Sequence, residues 1–279
     1  MVGRERGGRL SPVNPIVTLT TDFGLRDAYV AEMKGSLLGH GPSDLRLVDL
    51  THELEPFDVR GAALFLRRAC PAFPPGTVHL VVVDPGVGGP RRPIIAKIGD
   101  QLWVGPDNKV FGYLFDGREE VFEIDPSRLG SQNISQTFHG RDVFAPVAAG
   151  LAQGRPPEDF GARVDHYEHL VFPMIEYSGD TLVGRVIHVD HYGNLITNIA
   201  REQLASFCEE RDLAFVRVAV RDSVIDGLAG HYAAAEPGEL LALIGSSDLL
   251  EVAVREGDAA KKTQAERGEL VRVRVRPRG

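Results

Sequence analysis

The chain has 279 residues, 43% of them apolar and 25% charged, a composition that fills one large domain or two modest ones and excludes a disordered chain. A formal charge of −8 argues against coating a polyanion. Two cysteines far apart, Cys70 and Cys208, exclude a disulfide framework or a cysteine-built zinc site.

Residues 1–15 are rich in Arg and Gly and lack the apolar stretch of a signal peptide, so they read as a disordered tail. Ile16–Thr21 reads as a strand and Ala28–Leu38 as a helix, its apolar residues at helical spacing. Leu45–Leu50 predicts a second strand, Val59–Ala69 a second helix and Val78–Val83 a buried strand. Ile94–Ile98 and Gln101–Val104 predict a hairpin around Gly99-Asp100, and Asp142–Leu151 a closing helix. Alternation of strand and helix implies an α/β sheet layered with helices, expected over residues 16–165. An irregular linker is expected over 166–180. From residue 181 to 279 the signals are mostly strands (Gly184–Val189, Phe215–Val220, Glu239–Ile244, Leu249–Val254 and Leu270–Val275), with helix only near Glu202–Glu209. That texture predicts a smaller all-β domain, sandwich or barrel. Purely aliphatic runs, as at Leu80–Val83, fall far short of the roughly 20 residues of a membrane span. The expectation is a cytoplasmic protein with neither membrane nor nucleic acid as partner.

Open α/β sheets bind ligands beyond the carboxyl ends of their strands. Asp22, Asp49, Asp84 and Asp107 all fall at such ends. Singly, each suits a turn or helix cap; together they predict a pocket lined with carboxylates. Carboxylates there can accept hydrogen bonds from a ribose diol or hold Mg²⁺ or Mn²⁺. Neither a P-loop nor Gly-x-Gly-x-x-Gly opens the first helix, so a nucleoside without phosphates fits better than a nucleotide. The densest turn cluster, Asp84-Pro85-Gly86-Val87-Gly88-Gly89-Pro90-Arg91-Arg92, reads either as a plain connection or as glycines bringing backbone close to a ligand between Asp84 and Arg91. In Phe138-His139-Gly140-Arg141-Asp142, His139 reads either as a helix cap or as a general base or water-orienting group. His166 and His169 form a pair without further evident metal ligands.

Thr21-Asp22-Phe23-Gly24, Val83-Asp84-Pro85-Gly86-Val87-Gly88, Phe138-His139-Gly140-Arg141-Asp142 and Asp190-His191-Tyr192-Gly193-Asn194-Leu195-Ile196-Thr197-Asn198-Ile199 occur in this order. Together they resemble the S-adenosylmethionine hydroxide adenosyltransferase family, hydrolases related to fluorinases and chlorinases. The resemblance implies an N-terminal α/β domain, a C-terminal β-barrel and a homotrimer with sites between subunits. It implies hydrolysis of S-adenosylmethionine to adenosine and methionine, with no cofactor and no metal.

Carried over by motif, Asp84, Arg91 and His139 correspond to the hydrolase triad. Asp22 corresponds to the ribose-diol acceptor, and Asp27 and Asp190 to holders of the methionine ammonium group. Phe57 lies where the halogenases place a Trp near the ribose. Asn194 corresponds to an adenine contact, and Tyr232 to a ring stacked on the base. Ser246 to Val254, including Glu251, resembles the barrel strand that meets the methionine carboxylate and the adenine edge, although Asp248 and Arg255 depart from the usual family text. Asp84 and His139 each replace a halogenase Tyr, and Gly140 either replaces a Ser at the halide pocket or is shared with the chlorinase; most of these positions favour water as nucleophile. Beside this reading stand a nucleoside sensor without turnover and a metal-dependent phosphoesterase using the strand-end carboxylates.

Overall fold

The computed structural model describes residues 15–130, 133–208 and 216–275; the expected tail, apart from Pro15, and the strand start at Phe215 lie outside the described residues. The chain divides into two compact units, residues 1–171 and 172–279.

The first unit is built on a seven-stranded sheet with the spatial order β2-β1-β3-β5-β4-β6-β7. Its strands are β1 (Ile16–Thr21), β2 (Arg46–Thr51), β3 (Val78–Val82), β4 (Pro93–Ile98), β5 (Gln101–Pro106), β6 (Glu120–Ile124) and β7 (Gly161–Val164). β2, β1, β3 and β5 run parallel; β4 turns back as a hairpin on β5 and continues the sheet to β6 and β7. Side chains of β3 alternate between two apolar layers, as expected of a strand buried on both faces. Leu80 and Val82 meet Met33 and Leu37 of α1 (Tyr29–His40) and the alanine-rich α3 (Ala145–Ala152). Val81 and Val83 meet Ala62 and Leu66 of α2 (Val59–Ala69). Helices therefore cover both faces of the sheet. The apolar spacing of α2 accounts for its buried face, and Asp58 starts the helix by accepting from the Gly61 N–H at 3.0 Å. One core polar group stands out: His79 of β3 shares a hydrogen bond with Thr18 Oγ1 at 2.7 Å and lies 4.2 Å from the Trp103 ring. Burial pushes its pKa down to about 4, so this histidine is a neutral core residue.

The sequence reading misses β6 and β7. It also expects a regular helix from Asp142, where the structure opens that helix with a wide π-type turn over Gly140–Phe144.

In the second unit the strands are β8 (Glu176–Ser178), β9 (Thr181–Val189), β10 (Leu195–Ala200), β11 (Val216–Val220), β12 (Ser223–Asp226), β13 (Leu240–Ile244), β14 (Leu249–Val254) and β15 (Leu270–Val275). They form one antiparallel sheet in the order β12-β11-β15-β9-β10-β14-β13, with β8 beside β9. Beyond β12 the chain returns to β13, where the Ala229 N–H donates to the Ala242 carbonyl at 2.7 Å, so the sheet nearly closes. Of sandwich or barrel, this is the barrel-like solution. Alternate residues such as Val216, Val218 and Val220 fill its interior with Val271 and Val273. The fold is therefore the expected pairing of an α/β domain with a smaller all-β barrel-like domain.

Candidate active site

The order of the parallel strands sets where the first unit can bind a ligand. From β1 the chain steps outward to β2, then crosses back to β3 on the other side of β1. The carboxyl ends of β1 and β3 therefore flank the topological switch point, where open α/β sheets leave a crevice. Thr21 pairs with Val82 across these two strands. Asp22, one residue past β1, and Asp84, two past β3, thus leave the sheet side by side.

Asp84 is the anchor of a three-residue cluster. Arg91 Nε donates to both of its oxygens at 3.0 Å, and Nη2 donates to Oδ2 at 2.5 Å. The side chains of Asp84 and Arg91 are only 4% and 9% exposed, so the pair is charge-assisted and screened from water. Arg91 Nη2 also lies 2.8 Å from His139 Nδ1. A guanidinium can only donate, so Nδ1 is the acceptor and the neutral ring carries its proton on Nε2. Burial, then the adjacent Arg91 charge, holds the His139 pKa below 6.5. His139 does stand at the N-cap position, but its side chain makes no cap hydrogen bond. Instead the π-type turn, a wide backbone turn of a kind frequent at functional sites, presents the ring to Arg91.

The glycines of the 84–91 loop have individual reasons. A Cβ on Gly86 would lie 3.2 Å from Arg91 Cγ, and one on Gly88, at φ +76°, would lie 2.6 Å from the Gln136 carbonyl oxygen. At Gly88 the neighbour is backbone and φ is positive, so glycine is required there, whereas at Gly86 the contact is with a side chain and is only tight.

Asp22 is held by the segment between β2 and α2. Its Oδ2 accepts from the Phe57 N–H at 2.8 Å. Phe57 takes φ +68° and is 72% exposed, a conformation that strains a bulky residue. His52 braces the same turn twice: its Nδ1 lies 2.8 Å from Thr21 Oγ1, and its carbonyl accepts from the Gly24 N–H at 2.7 Å. Asp27 is exposed in the turn before α1.

The remaining strand-end carboxylates are engaged by protein partners. Asp49 binds Lys34 at 2.6 Å. Asp107 accepts from Arg92 Nη2 at 2.6 Å and from the Glu168 N–H at 2.8 Å. Among the described residues no three His, Cys, Asp or Glu side chains group so as to hold a metal ion.

In the barrel unit the predicted residues fall into two groups. Asp190 caps its own turn: Oδ1 accepts from the Tyr192 and Asn194 N–H groups, and Oδ2 from Asn194 Nδ2, all at 2.9 Å. Asn194 is 7% exposed, and its oxygen is the amide atom turned away from Asp190. Gly193, at φ +82°, lets this turn lie against Asp258, whose carboxylate a Cβ there would meet at 2.2 Å. The second group pairs Tyr232 with Glu251 of β14, Oη donating to Oε2 at 3.0 Å. Glu251 is 4% exposed and lies over Gly245. Ser246 is exposed in the β13–β14 turn, whereas Val254 gives its side chain to the barrel core.

Sequence reasoning missed His52 and, beside Asp107, Asn108, whose Nδ2 donates to the Val83 carbonyl at 2.9 Å. Their partners lie 31 and 25 residues away. Only an Asn following a strand-end Asp could have pointed to the second.

An α/β sheet with a carboxylate–guanidinium–imidazole cluster beside its switch point, followed by an antiparallel barrel, defines the class, and comparison with known proteins agrees. Residues 17–161 match the SAM hydroxide adenosyltransferase N-terminal domain and residues 184–272 the C-terminal domain of the same name. The chain belongs to the SAM hydroxide adenosyltransferase family. Among its relatives, the (R)-S-adenosyl-L-methionine hydrolase of Salinispora arenicola is 39% identical over 268 residues, covering 93% of this chain and 97% of that protein. A fluorinase from Nocardia brasiliensis is 29% identical over 225 residues, 68% and 73% of the two chains. The crystal structure of an uncharacterized conserved protein from Thermotoga maritima superposes with a TM-score of 0.82 at 38% identity, covering 92% of this chain and 99% of that one.

Proposed function

We propose that this protein hydrolyses S-adenosylmethionine to adenosine and L-methionine, an oxygen nucleophile derived from water attacking C5′ in line with the departing sulfur. The observation that carries the reading is the hydrogen bond from Arg91 to His139 Nδ1 on a guanidinium already fixed by Asp84. It leaves the imidazole Nε2–H as a donor beside a buried positive charge. A water held there has its hydroxide form stabilised, and the proton it gives up is released to bulk solvent, since neither Arg91 nor the occupied Nδ1 of His139 can take it. The sulfonium leaves as a neutral thioether, so the step needs no general acid, and nucleophile and leaving group neutralise each other's charge as they react. A dry pocket strengthens that attraction. His139 on this account orients and stabilises the nucleophile, because its Nδ1 lone pair is occupied.

Asp22 Oδ1 takes the ribose diol while Oδ2 stays on the Phe57 N–H, and the Phe57 ring flanks the sugar. Asn194 offers its oxygen to the adenine amino group and Tyr232, held by Glu251, stacks on the base. Asp27 and Asp190 take the methionine ammonium group; Ser246 and the backbone near Val254 meet the carboxylate end. The family resemblance implies a homotrimer with sites between subunits, and that assembly is proposed for this chain. The reaction is taken to be metal-independent and cytoplasmic, where its substrate is made; no described helix is long and apolar enough to cross a membrane. The relatives' names specify the R form, and a sulfonium centre inverts slowly in water, so this protein is assigned the same epimer.

Incubation with separated sulfonium epimers, with and without EDTA and halide, followed by chromatography, tests the reading. Adenosine and methionine from the R epimer, unaffected by EDTA, are expected. Absence of both products sinks it, and 5′-halo-adenosine would make the enzyme a halogenase. Asp22→Ala should weaken adenosine binding by about 10-fold or more, the scale of a charged hydrogen-bond acceptor; calorimetry giving an unchanged Kd removes its ribose role.

A further inference from the structure

Asp84 and Arg91 stand at the two ends of a loop rich in glycine, whose free backbone must be held from outside. Two consecutive residues just past β5 hold it. Asn108 Nδ2 donates to the carbonyl of Val83, the residue before Asp84, at 2.9 Å. Asn108 Oδ1 closes the local turn by accepting from the Val110 N–H at 3.2 Å. Asp107 holds the other end of the loop, next to Arg91. Its N–H donates to the Arg92 carbonyl at 2.8 Å, and its Oδ2 accepts from Arg92 Nη2 at 2.6 Å and Nε at 3.2 Å. The Asp107 side chain is 4% exposed, so these bonds are shielded from competing water. β5 is paired to β3 on one side and β4 on the other, which makes the end of β5 a fixed platform.

We propose that Asn108 and Asp107 are positioning residues for the Asp84–Arg91–His139 cluster: one clamps the entry of the 84–91 loop and the other its exit, so that the Arg91 guanidinium stays on His139 Nδ1. Neither touches the reacting atoms. The role rests on the hydrolase reading above, and one arm of the test is independent of it.

Asn108→Ser keeps an acceptor for the local turn but cannot reach Val83, while Asp107→Asn removes the ion pair with Arg92. In each variant kcat for S-adenosylmethionine is expected to fall about 10-fold or more, the consequence of a sub-ångström to ångström displacement, with KM changed less than about 3-fold. The His139 titration, followed by NMR, should move up toward its ordinary value as Arg91 drifts away. Folding by circular dichroism should stay intact. An unmoved His139 titration in both variants overturns the proposal, as does a fall in kcat matched by the unfolded fraction. If the unmodified enzyme shows no turnover, the hydrolase reading fails, while the titration still decides the clamp.

Discussion

Replacing Arg91 with alanine should lower turnover by about 10²-fold or more, the scale on which preorganised charge acts in a water-excluded site. Two effects combine. The donor to His139 Nδ1 disappears, so the imidazole is no longer held to the tautomer with its proton on Nε2. The positive charge proposed to stabilise hydroxide disappears as well. Stability should also fall, because Asp84 is left as a buried carboxylate without its partner, a change that costs about 3–5 kcal/mol in comparable buried pairs. Arg91→Lys separates the two consequences: lysine restores a charge but not the planar fork that spans both Asp84 oxygens and the ring nitrogen. It should recover most of the stability and little of the rate. His139→Ala should lose rate on the same scale with less effect on folding. Steady-state adenosine release beside thermal unfolding measures both, and undiminished kcat in Arg91→Ala and His139→Ala would remove the cluster from the mechanism.

The same geometry fixes a pH dependence. Protonating His139 places an N–H on Nδ1, facing the N–H of Arg91, and breaks their bond. Burial and then the Arg91 charge push the His139 pKa below 6.5, so the active neutral form persists through neutral pH. Turnover should decline only as pH falls below 6.5, through the depressed folded-state pKa. A rate that rose on acidification would contradict the role given to the neutral ring.

Much of this site is legible without coordinates, and the reasons differ by residue. Asp22 and Asp84 are visible because parallel strands read as apolar runs and their ends carry the next polar residue. Arg91 and His139 are visible only as motif text: their contact spans 48 residues, and no local period encodes it. Val121 and Phe122 of β6 pair only with strands far along the chain, and the uniformly buried Leu195–Ile199 of β10 lies between the adjacent β9 and the distant β14, so this buried run shows no period-2 alternation. His52 is silent in sequence and Asn108 is hinted at only by its place after a strand-end Asp, because a side chain that holds another residue's carbonyl or hydroxyl has no signature of its own. Asp107 carries the opposite lesson. As a strand-end carboxylate it looks ligand-facing, yet both oxygens are consumed by Arg92 and Glu168, and only the fold reveals which acids are already satisfied.

Gly88→Ala should be strongly damaging for a single added methyl group. Gly88 lies in the left-handed region at φ +76°, and the added Cβ would lie 2.6 Å from the carbonyl oxygen of Gln136. That neighbour is backbone, so no flexible side chain can swing aside. The conformation alone costs an L-residue about 1–2 kcal/mol, and the clash must be relieved by moving one segment or the other. Both movements reach the chemistry: Gly88 lies between Asp84 and Arg91, and Gln136 stands three residues before His139. Separating Arg91 from His139 by about 1 Å is enough to cost roughly 10²-fold in rate. Gly99→Ala is the matched control. Gly99 sits at φ +57° in the β4–β5 hairpin with nothing within 4 Å of its Cβ position, so it carries the same backbone strain without the clash. Both variants should melt a few degrees lower, but only Gly88→Ala should lose turnover. Equal activity in the two would mean that the loop yields around the methyl group, and that the close approach at Gln136 does nothing to hold Arg91 against His139.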